Sequence, residues 1–194
     1  MHGLITKSIQ RFLEDTYGGE VWLRIAEQAG VPDAQFETML YYPEKVFDQT
    51  LEAACQELDK PSATILEDMG TYIISHPERP ALRRLLRFCG ASFSDFLNAL
   101  EDLRGRARLA VPGLDVPALE LKPLAEKRYQ IAYEWHRKDG IFVISGILRA
   151  MADDYGALAF TEVAEDGNGH PTIEIAVLDR AFSEGREFDL GAPA

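Results

Sequence analysis

Three side chains near residue 135 are of types that recognise anions, and their spacing places them on one side of a strand. Tyr133, Trp135 and Arg137 alternate with Glu134 and His136 in a strand-like run. Because successive side chains of a strand point to opposite faces, residues two apart face the same way. Arginine binds carboxylates through parallel hydrogen bonds, whereas the only polar group of a tryptophan side chain is its indole N–H. The alternative interpretation is that Tyr133 and Trp135 form the core face of a sheet.

A cation interrupts the apolar face of the predicted helical run 97–104. Leu97, Leu100 and Arg104 share one face of the predicted helix, so Arg104 is expected to point toward the interior. A buried unpaired cation is costly, and an anionic group should therefore meet it, either a bound acid or a carboxylate of the chain. Alternatively, the long side chain carries its charged end to water.

The sequence contains no arrangement typical of catalysis or of a metal site. Glu101 and Asp102 are adjacent in a predicted helix and therefore point in different directions. The histidines do not pair at metal-ligand spacing; they are His2, His76, His136 and His170. The glycines at 167 and 169 lie between two predicted strands, where no helix N-terminus receives an anion. We therefore expect a protein that is not an enzyme.

Composition sets the class of the protein and excludes some partners. A chain of 194 residues with 46% hydrophobic and 27% charged residues is typical of one globular domain. The net charge of -12 argues against nucleic acids and anionic membranes as partners. No apolar run reaches the roughly 18 residues of a membrane span, and the N-terminus has no signal-peptide layout. The two cysteines make no disulfide framework, so we expect a cytoplasmic protein.

Helical periodicity dominates the chain up to residue 106, and period-two alternation follows it. Helix breaks are expected at Gly18 and Gly30, and caps at Ser62 and at Ser92 or Ser94. Strands are predicted at 118–122, 128–136, 157–164 and 172–178, with a helix at 141–155 and a hairpin turn at 166–169. This order predicts an α+β fold in which helices cover a small antiparallel sheet of about four strands.

Five segments, distributed over nearly the whole chain, resemble the heme nitric oxide/oxygen binding (H-NOX, HNOB) family. They are residues 1–5, Trp22 with Ala29-Gly30, the helix end 100–104, the loop 112–117 and the motif 133–137. Family members carry Tyr-x-Ser-x-Arg where this chain has Trp135 in place of serine. They carry a histidine that ligates the heme iron where this chain has Arg104. The resemblance implies one H-NOX-like domain over 1–194, with a helical lobe at about 1–90, a proximal helix and sheet lobe at about 91–180, and a loose tail at about 181–194.

The resemblance also assigns roles at a heme site. Tyr133, Trp135 and Arg137 match the clamp that binds the heme propionates, and Arg104 matches the iron ligand. The remaining positions are Pro117, which would pack against the macrocycle, and Ile5 and Ile9, which would form the distal wall. Arginine stays protonated and has no lone pair for iron. Heme would therefore have to be held without that histidine, either by hydrophobic enclosure with Arg137 and Tyr133 or by another ligand such as His2, His76 or Cys89.

Two functions follow from the resemblance. The first is a stand-alone heme-binding sensor of a diatomic gas, nitric oxide, with altered or absent axial ligation. It would signal to a partner such as a histidine kinase or a cyclic-nucleotide signalling enzyme. The second is a heme-free module of the same fold that binds another small ligand, acidic or apolar, or that regulates a protein by contact.

Overall fold

The helical periodicity of the first half of the chain forms four helices in the computed structural model, which describes residues 1–31, 34–76 and 80–187. The helices are α1 (Gly3–Tyr17), α2 (Gly19–Ala29), α3 (Glu44–Leu58) and α4 (Ser62–Ser75). Gly30 ends α2 in the left-handed region, at a φ of 66°, as its position predicts. Ser62, expected as a cap, is instead the first residue of α4 and follows Pro61.

The segment that carries Arg104 is broken rather than continuous. It consists of α5 (Pro80–Arg87), α6 (Phe93–Asn98), a 3-10 turn (Leu100–Asp102) and α7 (Leu103–Ala110). Ser92 caps α6 in a capping box with Asp95. The expected single helical face from Leu97 to Arg104 therefore does not form. A 3-10 turn winds more tightly than an α-helix, so the spacing from Leu97 no longer sets the direction of Arg104.

Period-two alternation forms one antiparallel sheet of four strands, which confirms the α+β prediction. The strands are β1 (Ala118–Ala125), β2 (Arg128–Glu134), β3 (Leu158–Glu165) and β4 (Pro171–Asp179), in the order β1-β2-β4-β3. Helix α8 (Gly140–Asp154) connects β2 to β3. Strand β2 ends at Glu134, two residues earlier than expected. Trp135 and Arg137 therefore lie in the turn between β2 and α8 and not in the strand.

Two hydrophobic clusters form the core. One is built by α1, α2, α3 and α4 and is called here the helical lobe; it includes Trp22 and Met69. The other is built by the sheet, α8 and α6 and is called the sheet lobe; it also takes in Ile74 from the end of α4 and Leu86 from α5. Helix α4 therefore contributes to both clusters.

Helices α4 and α8 pack with their backbones in contact, and this contact joins the two lobes. A Cβ atom on Gly70 would lie 2.2 Å from the backbone oxygen of Val143. A Cβ atom on Gly146 would lie 2.1 Å from the backbone oxygen of Glu67. Only glycine fits such an approach, so the relative position of the lobes depends on both glycines.

The described part of the expected loose tail, residues 181–187, is exposed but bonded to the fold. The backbone N–H of Ser183 donates to the oxygen of Gly156 at 3.1 Å, and that of Arg186 to the oxygen of Asp154 at 3.0 Å. The rest of that expected tail, 188–194, lies outside the described residues. In the ranges that the structure describes, no helix is long and apolar enough to cross a membrane.

Candidate functional site

Tyr133 faces the sheet-lobe core from the end of β2, and its hydroxyl already has a partner. It is 5% exposed, and its O–H donates to the backbone oxygen of Arg137 at 2.6 Å. Burial raises the pKa of Tyr133, and the nearby charge of Asp139 adds to the rise. The phenol therefore stays protonated, and its O–H is already donated to a backbone oxygen of the chain.

Trp135 follows β2 and packs beside Tyr133. A Cβ atom on Gly140 would lie 2.5 Å from the Tyr133 hydroxyl and 2.7 Å from Cζ3 of Trp135. The two side chains therefore meet over the first residue of α8, although Trp135 lies outside the strand. The indole N–H donates to Oδ2 of Asp115 at 2.7 Å. The sole polar group of Trp135 is thus engaged by a carboxylate of the chain.

Arg137 turns away from Tyr133 and Trp135 and contacts the helical lobe. Its side chain is 10% exposed and lies 2.7 Å from a carboxylate oxygen of Asp48 and 2.6 Å from one of Asp139. Its guanidinium carbon lies 4.9 Å from the ring centroid of Phe47. Burial disfavours the cation, but hydrogen bonds and charges from Asp139 and Asp48 raise the pKa of Arg137 above its ordinary value. The guanidinium is therefore matched by carboxylates of the chain.

Arg104 meets a carboxylate of the chain, which was one of the alternatives left open by the sequence. Its Nη2 lies 3.5 Å from Oδ1 of Asp115, in the loop that follows α7. Arg108 lies 3.8 Å from the same oxygen, and Nδ1 of His136 lies 3.4 Å from the other. Asp115 thus joins α7 to the turn after β2. Nε of Arg104 is buried and has no hydrogen-bond partner among the described residues.

The three apolar positions of the expected heme site are separated in the structure. Ile9 is fully buried in the helical-lobe core. Pro117 is buried immediately before β1. Ile5 is half-buried and lines a cavity of about 140 Å³ between the lobes. Of the seven expected site residues, the structure brings Ile5 and Trp135 together at this cavity.

The cavity is lined from both lobes. The helical lobe contributes His2, Ile5 and Glu44, among others, and the segments before β1 and after β2 contribute Asp115, Trp135 and His136. Nε2 of His136 lies 2.9 Å from a carboxylate oxygen of Glu44, so it bonds the turn after β2 to the first turn of α3. Together with the pairing of Arg137 and Asp48, this forms what we call the interlobe contact: His136 and Arg137 on Glu44, Phe47 and Asp48.

The three residues considered as other iron ligands lie in different places. His2 caps α1, because its Nδ1 accepts the N–H of Leu4 at 3.2 Å. His76 lies at the C-terminal end of α4, 3.8 Å from Asp15. Cys89 is half-buried beside Arg106, and burial raises the pKa of its thiol. His2 lines the cavity and the other two do not. Over the described ranges, no three His, Cys, Asp or Glu side chains are grouped to hold a metal.

The sequence interpretation missed the acidic residues of this site. Asp48 lies 89 residues before Arg137, and no local pattern connects them. Asp139 and Asp115 had weak signals, since Asp139 is two residues from Arg137 and Asp115 lies inside the loop 112–117. Carboxylates are common on a chain with 32 Asp and Glu residues, so these signals could not be separated from ordinary surface charge.

Comparison with known proteins gives one family and one fold. A family model described as Haem-NO-binding (HNOB) matches residues 2–160. Soluble guanylate cyclase 89Db of Drosophila melanogaster is 20% identical over 161 residues, which cover 83% of this chain and 24% of that protein. Soluble guanylate cyclase gcy-31 of Caenorhabditis elegans is 22% identical over 154 residues, 79% of this chain and 22% of that protein. The chain spans about a quarter of the length of these relatives.

Solved H-NOX structures share the fold at low identity. A mutant H-NOX protein from S. oneidensis in the Fe(II) ligation state has a TM-score of 0.77 at 16% identity, covering 93% of this chain and 97% of that one. A Cs H-NOX mutant with 4-cyano-L-phenylalanine at site 5 has a TM-score of 0.76 at 17% identity, covering 94% and 100%. The helical part and the four-stranded sheet therefore correspond to an H-NOX architecture.

The residues at the expected heme site do not fit a heme. Arg104 has no lone pair to give to iron. The cavity volume of about 140 Å³ is well below the roughly 300–1,000 Å³ of cofactor and ligand sites. The hydroxyl of Tyr133, the indole of Trp135 and the guanidinium of Arg137 all bond to groups of the chain. Propionates would have to displace them.

Proposed function

Because the chain belongs to the Haem-NO-binding (H-NOX) family of sensor domains, we propose that it is a regulatory module that acts on a signalling protein and holds no heme. The observation that carries this proposal is the pairing of Arg137 with Asp48 and Asp139, at 2.7 and 2.6 Å. The guanidinium that would bind a propionate is 10% exposed and already has two carboxylates. Binding a ligand acid there would leave a carboxylate of the chain without its cation.

The interlobe contact supports a module whose lobes are held together by the chain itself. In the family that this chain resembles, a gas on the iron shifts the sheet lobe against the helical lobe. Here His136 and Arg137 bond the turn after β2 to α3, at 2.9 and 2.7 Å. We propose one domain of two lobes in which this contact, and not a cofactor, sets their relative position.

The second candidate is a heme-binding sensor of nitric oxide with a changed axial ligand. The observation in its favour is His2, an imidazole that lines the cavity between the lobes. Neutral imidazole is a good donor to heme iron. This candidate requires the cavity to open well beyond its volume of about 140 Å³, so Trp135 and Asp115 would have to move apart. The geometry therefore favours the heme-free module.

The proposed mode of action is contact with a partner protein in the cytoplasm. The relatives named above are soluble guanylate cyclases, in which the matched region is about a quarter of the protein. We propose that this chain, without catalysis of its own, regulates an enzyme of cyclic-nucleotide signalling or a histidine kinase. The net charge of -12 favours a protein partner over nucleic acid.

The test is a titration of the purified chain with hemin, followed by gel filtration. The heme-free module predicts a broad absorption band that leaves the protein on the column. A sharp, shifted Soret band that elutes with the protein at one heme per chain would contradict the proposal and favour the gas sensor. The ferrous spectrum of the His2→Ala variant would then show whether His2 is the ligand.

A further inference from the structure

We propose that residues 183–187, called here the strap, respond to the arrangement of the two lobes. The strap lies across α5 and α8 while the interlobe contact is closed, and it lifts when that contact opens. This inference rests on the proposed function, because a module that is regulated through its lobes needs a segment that reports their arrangement. It identifies the segment whose position a partner protein would sense.

The strap fits closely against the end of α8. The backbone N–H of Ser183 donates to the oxygen of Gly156 at 3.1 Å. The backbone N–H of Arg186 donates to the oxygen of Asp154 at 3.0 Å. A Cβ atom on Gly156 would lie 2.2 Å from the oxygen of Ser183, and one on Gly185 would lie 2.7 Å from the oxygen of Asp154. Glycines on both sides therefore let the two backbones meet.

One arginine of α5 joins the strap to a buried carboxylate of α8. Nη2 of Arg83 donates to the backbone oxygen of Glu187 at 3.0 Å, and its Nε donates to Oδ1 of Asp154 at 2.7 Å. The Asp154 side chain is 1% exposed, and Arg87 adds a second cation at 3.6 Å. The strap is thus bonded to both helices, so a shift of α8 against α5 must stretch one of these bonds.

Hydrogen bonds, and not buried side chains, hold the strap in place, since all five of its residues are exposed. Segments with few buried contacts open at a lower free energy than the core beside them. The strap can therefore lift while the domain stays folded. Because Arg83 and Asp154 belong to the folded domain, the free energy of lifting depends on how α5 and α8 are placed.

Helix α8 connects the strap to the interlobe contact. It begins at Gly140, directly after Asp139, whose carboxylate lies 2.6 Å from Arg137, and it ends at Asp154. Its 15 residues form a rod about 22 Å long, and rigid elements can carry coupling between distant sites. A displacement of the first turn of α8 therefore moves Asp154 as well, and with it one of the two attachments of the strap.

Amide hydrogen exchange, measured for each residue by NMR, reports the lifting of the strap at Ser183 and Arg186. Arg83→Gln removes the cation that joins Asp154 to the strap, so both exchange rates should rise about tenfold. Arg84→Gln removes a neighbouring cation of α5 that bonds to neither Asp154 nor the strap in the described ranges, and it should leave both rates unchanged. Equal rates in the two variants would overturn the role of Arg83.

Two variants open the interlobe contact from its opposite sides. Arg137→Ala should raise strap exchange at least about fivefold, and Asp48→Asn should raise it less, because the Asp48 side chain is 55% exposed. Ile25→Val is the control, since it loosens the helical-lobe core at a residue outside the contact. The amide of Gly169, in the turn after β3, is the internal standard.

Strap exchange that stays unchanged in either folded variant of the interlobe contact would overturn the coupling, and so would an equal rise in Ile25→Val. The hemin titration is independent of these exchange rates. A strap that does not respond therefore leaves the heme-free module standing, and a bound heme leaves the measured coupling standing, so the two proposals fail separately.

Discussion

The guanidinium of Arg137 lies 2.7 Å from the carboxylate of Asp48, and this pair bonds the turn after β2 to helix α3 in the other lobe. In the family pattern the same arginine is the propionate partner. Here Asp48 and Asp139 take the place of an external acid. Arg137 thus pairs with a carboxylate of the other lobe and not with the carboxylate of a ligand.

The two sides of this pair should differ in their effect on stability. The Asp48 side chain is 55% exposed, so Asp48→Asn should lower the free energy of unfolding by about 0.5–1 kcal/mol. Arg137→Ala also removes the packing on Phe47 and leaves Asp139 without its cation, so it should cost about 2–4 kcal/mol. Urea unfolding of the two variants measures both values.

Glu52→Gln is the control for Asp48→Asn, because Glu52 is an exposed acidic residue of the same helix. It should change the free energy of unfolding by less than about 0.5 kcal/mol. The role given to Arg137 is wrong if Arg137→Ala unfolds at the same urea concentration as Glu52→Gln.

Substitution of glycine by alanine should have opposite effects at the contact between α4 and α8 and at an open position of α7. Gly146→Ala places a Cβ atom 2.1 Å from the backbone oxygen of Glu67, so the helices must separate at a cost of about 2–3 kcal/mol. At Gly105, inside α7, a Cβ atom meets nothing within 4 Å. Gly105→Ala should therefore stabilise the chain by about 0.5–1 kcal/mol. Thermal unfolding of both variants checks the signs, and a rise in Tm for Gly146→Ala would refute the close approach.

Tyr133 predicts a loss of stability in alkali. Burial raises its pKa above the unfolded value of about 10, so the folded chain keeps a proton that the unfolded chain releases. This contribution is complete below pH 10 and is lost as the pH rises above 10. Urea unfolding at pH 8.5 and about 10.5 should show a fall for the native chain and a smaller one for Tyr133→Phe. A parallel fall in both would assign the effect to other groups.

The elements of the fold could be predicted because each depends on local spacing. Gly18 and Gly30 delimit α2, and the alternation from Arg128 to Glu134 is strand β2. The residues at 166–169 predict the hairpin turn after β3. In the structure Asp166 accepts the backbone N–H groups of Asn168 and His170 in this turn. Burial and backbone geometry at such positions follow from residues a few places apart.

The site itself could be predicted only in part, because its partners are distant in sequence. Tyr133 and Trp135 lie side by side, but strand alternation is not the reason, because β2 ends at Glu134 and both Trp135 and Arg137 lie in the turn that follows. The cation of Arg104 lies beside a carboxylate, but the sequence pattern did not predict the 3-10 turn at Leu100–Asp102 or Asp115 as the partner. No local sequence pattern predicts that Arg137 contacts α3 or that Arg104 pairs with Asp115.

Restoring the family residues one at a time should distinguish two reasons for not binding heme, the missing iron ligand at position 104 and the small volume of the cavity beside Trp135. Arg104→His supplies an imidazole, but Trp135 and Asp115 still narrow the cavity. We expect this variant to bind hemin no better than the native chain. Arg104→His combined with Trp135→Ser removes the indole as well and should show a stronger Soret band. A histidine-ligated ferrous spectrum from Arg104→His alone would show that the cavity already admits a heme.

The most direct test of the account is the absorption spectrum of the native chain, produced in cells supplied with a heme precursor and purified without added hemin. A heme-free module should show no Soret band, because Arg104 cannot ligate iron, Trp135 narrows the cavity, and the guanidinium of Arg137 is already paired with carboxylates of the chain. A Soret band at one heme per chain, shifted by nitric oxide in the ferrous state, would contradict the account and establish a heme-based gas sensor.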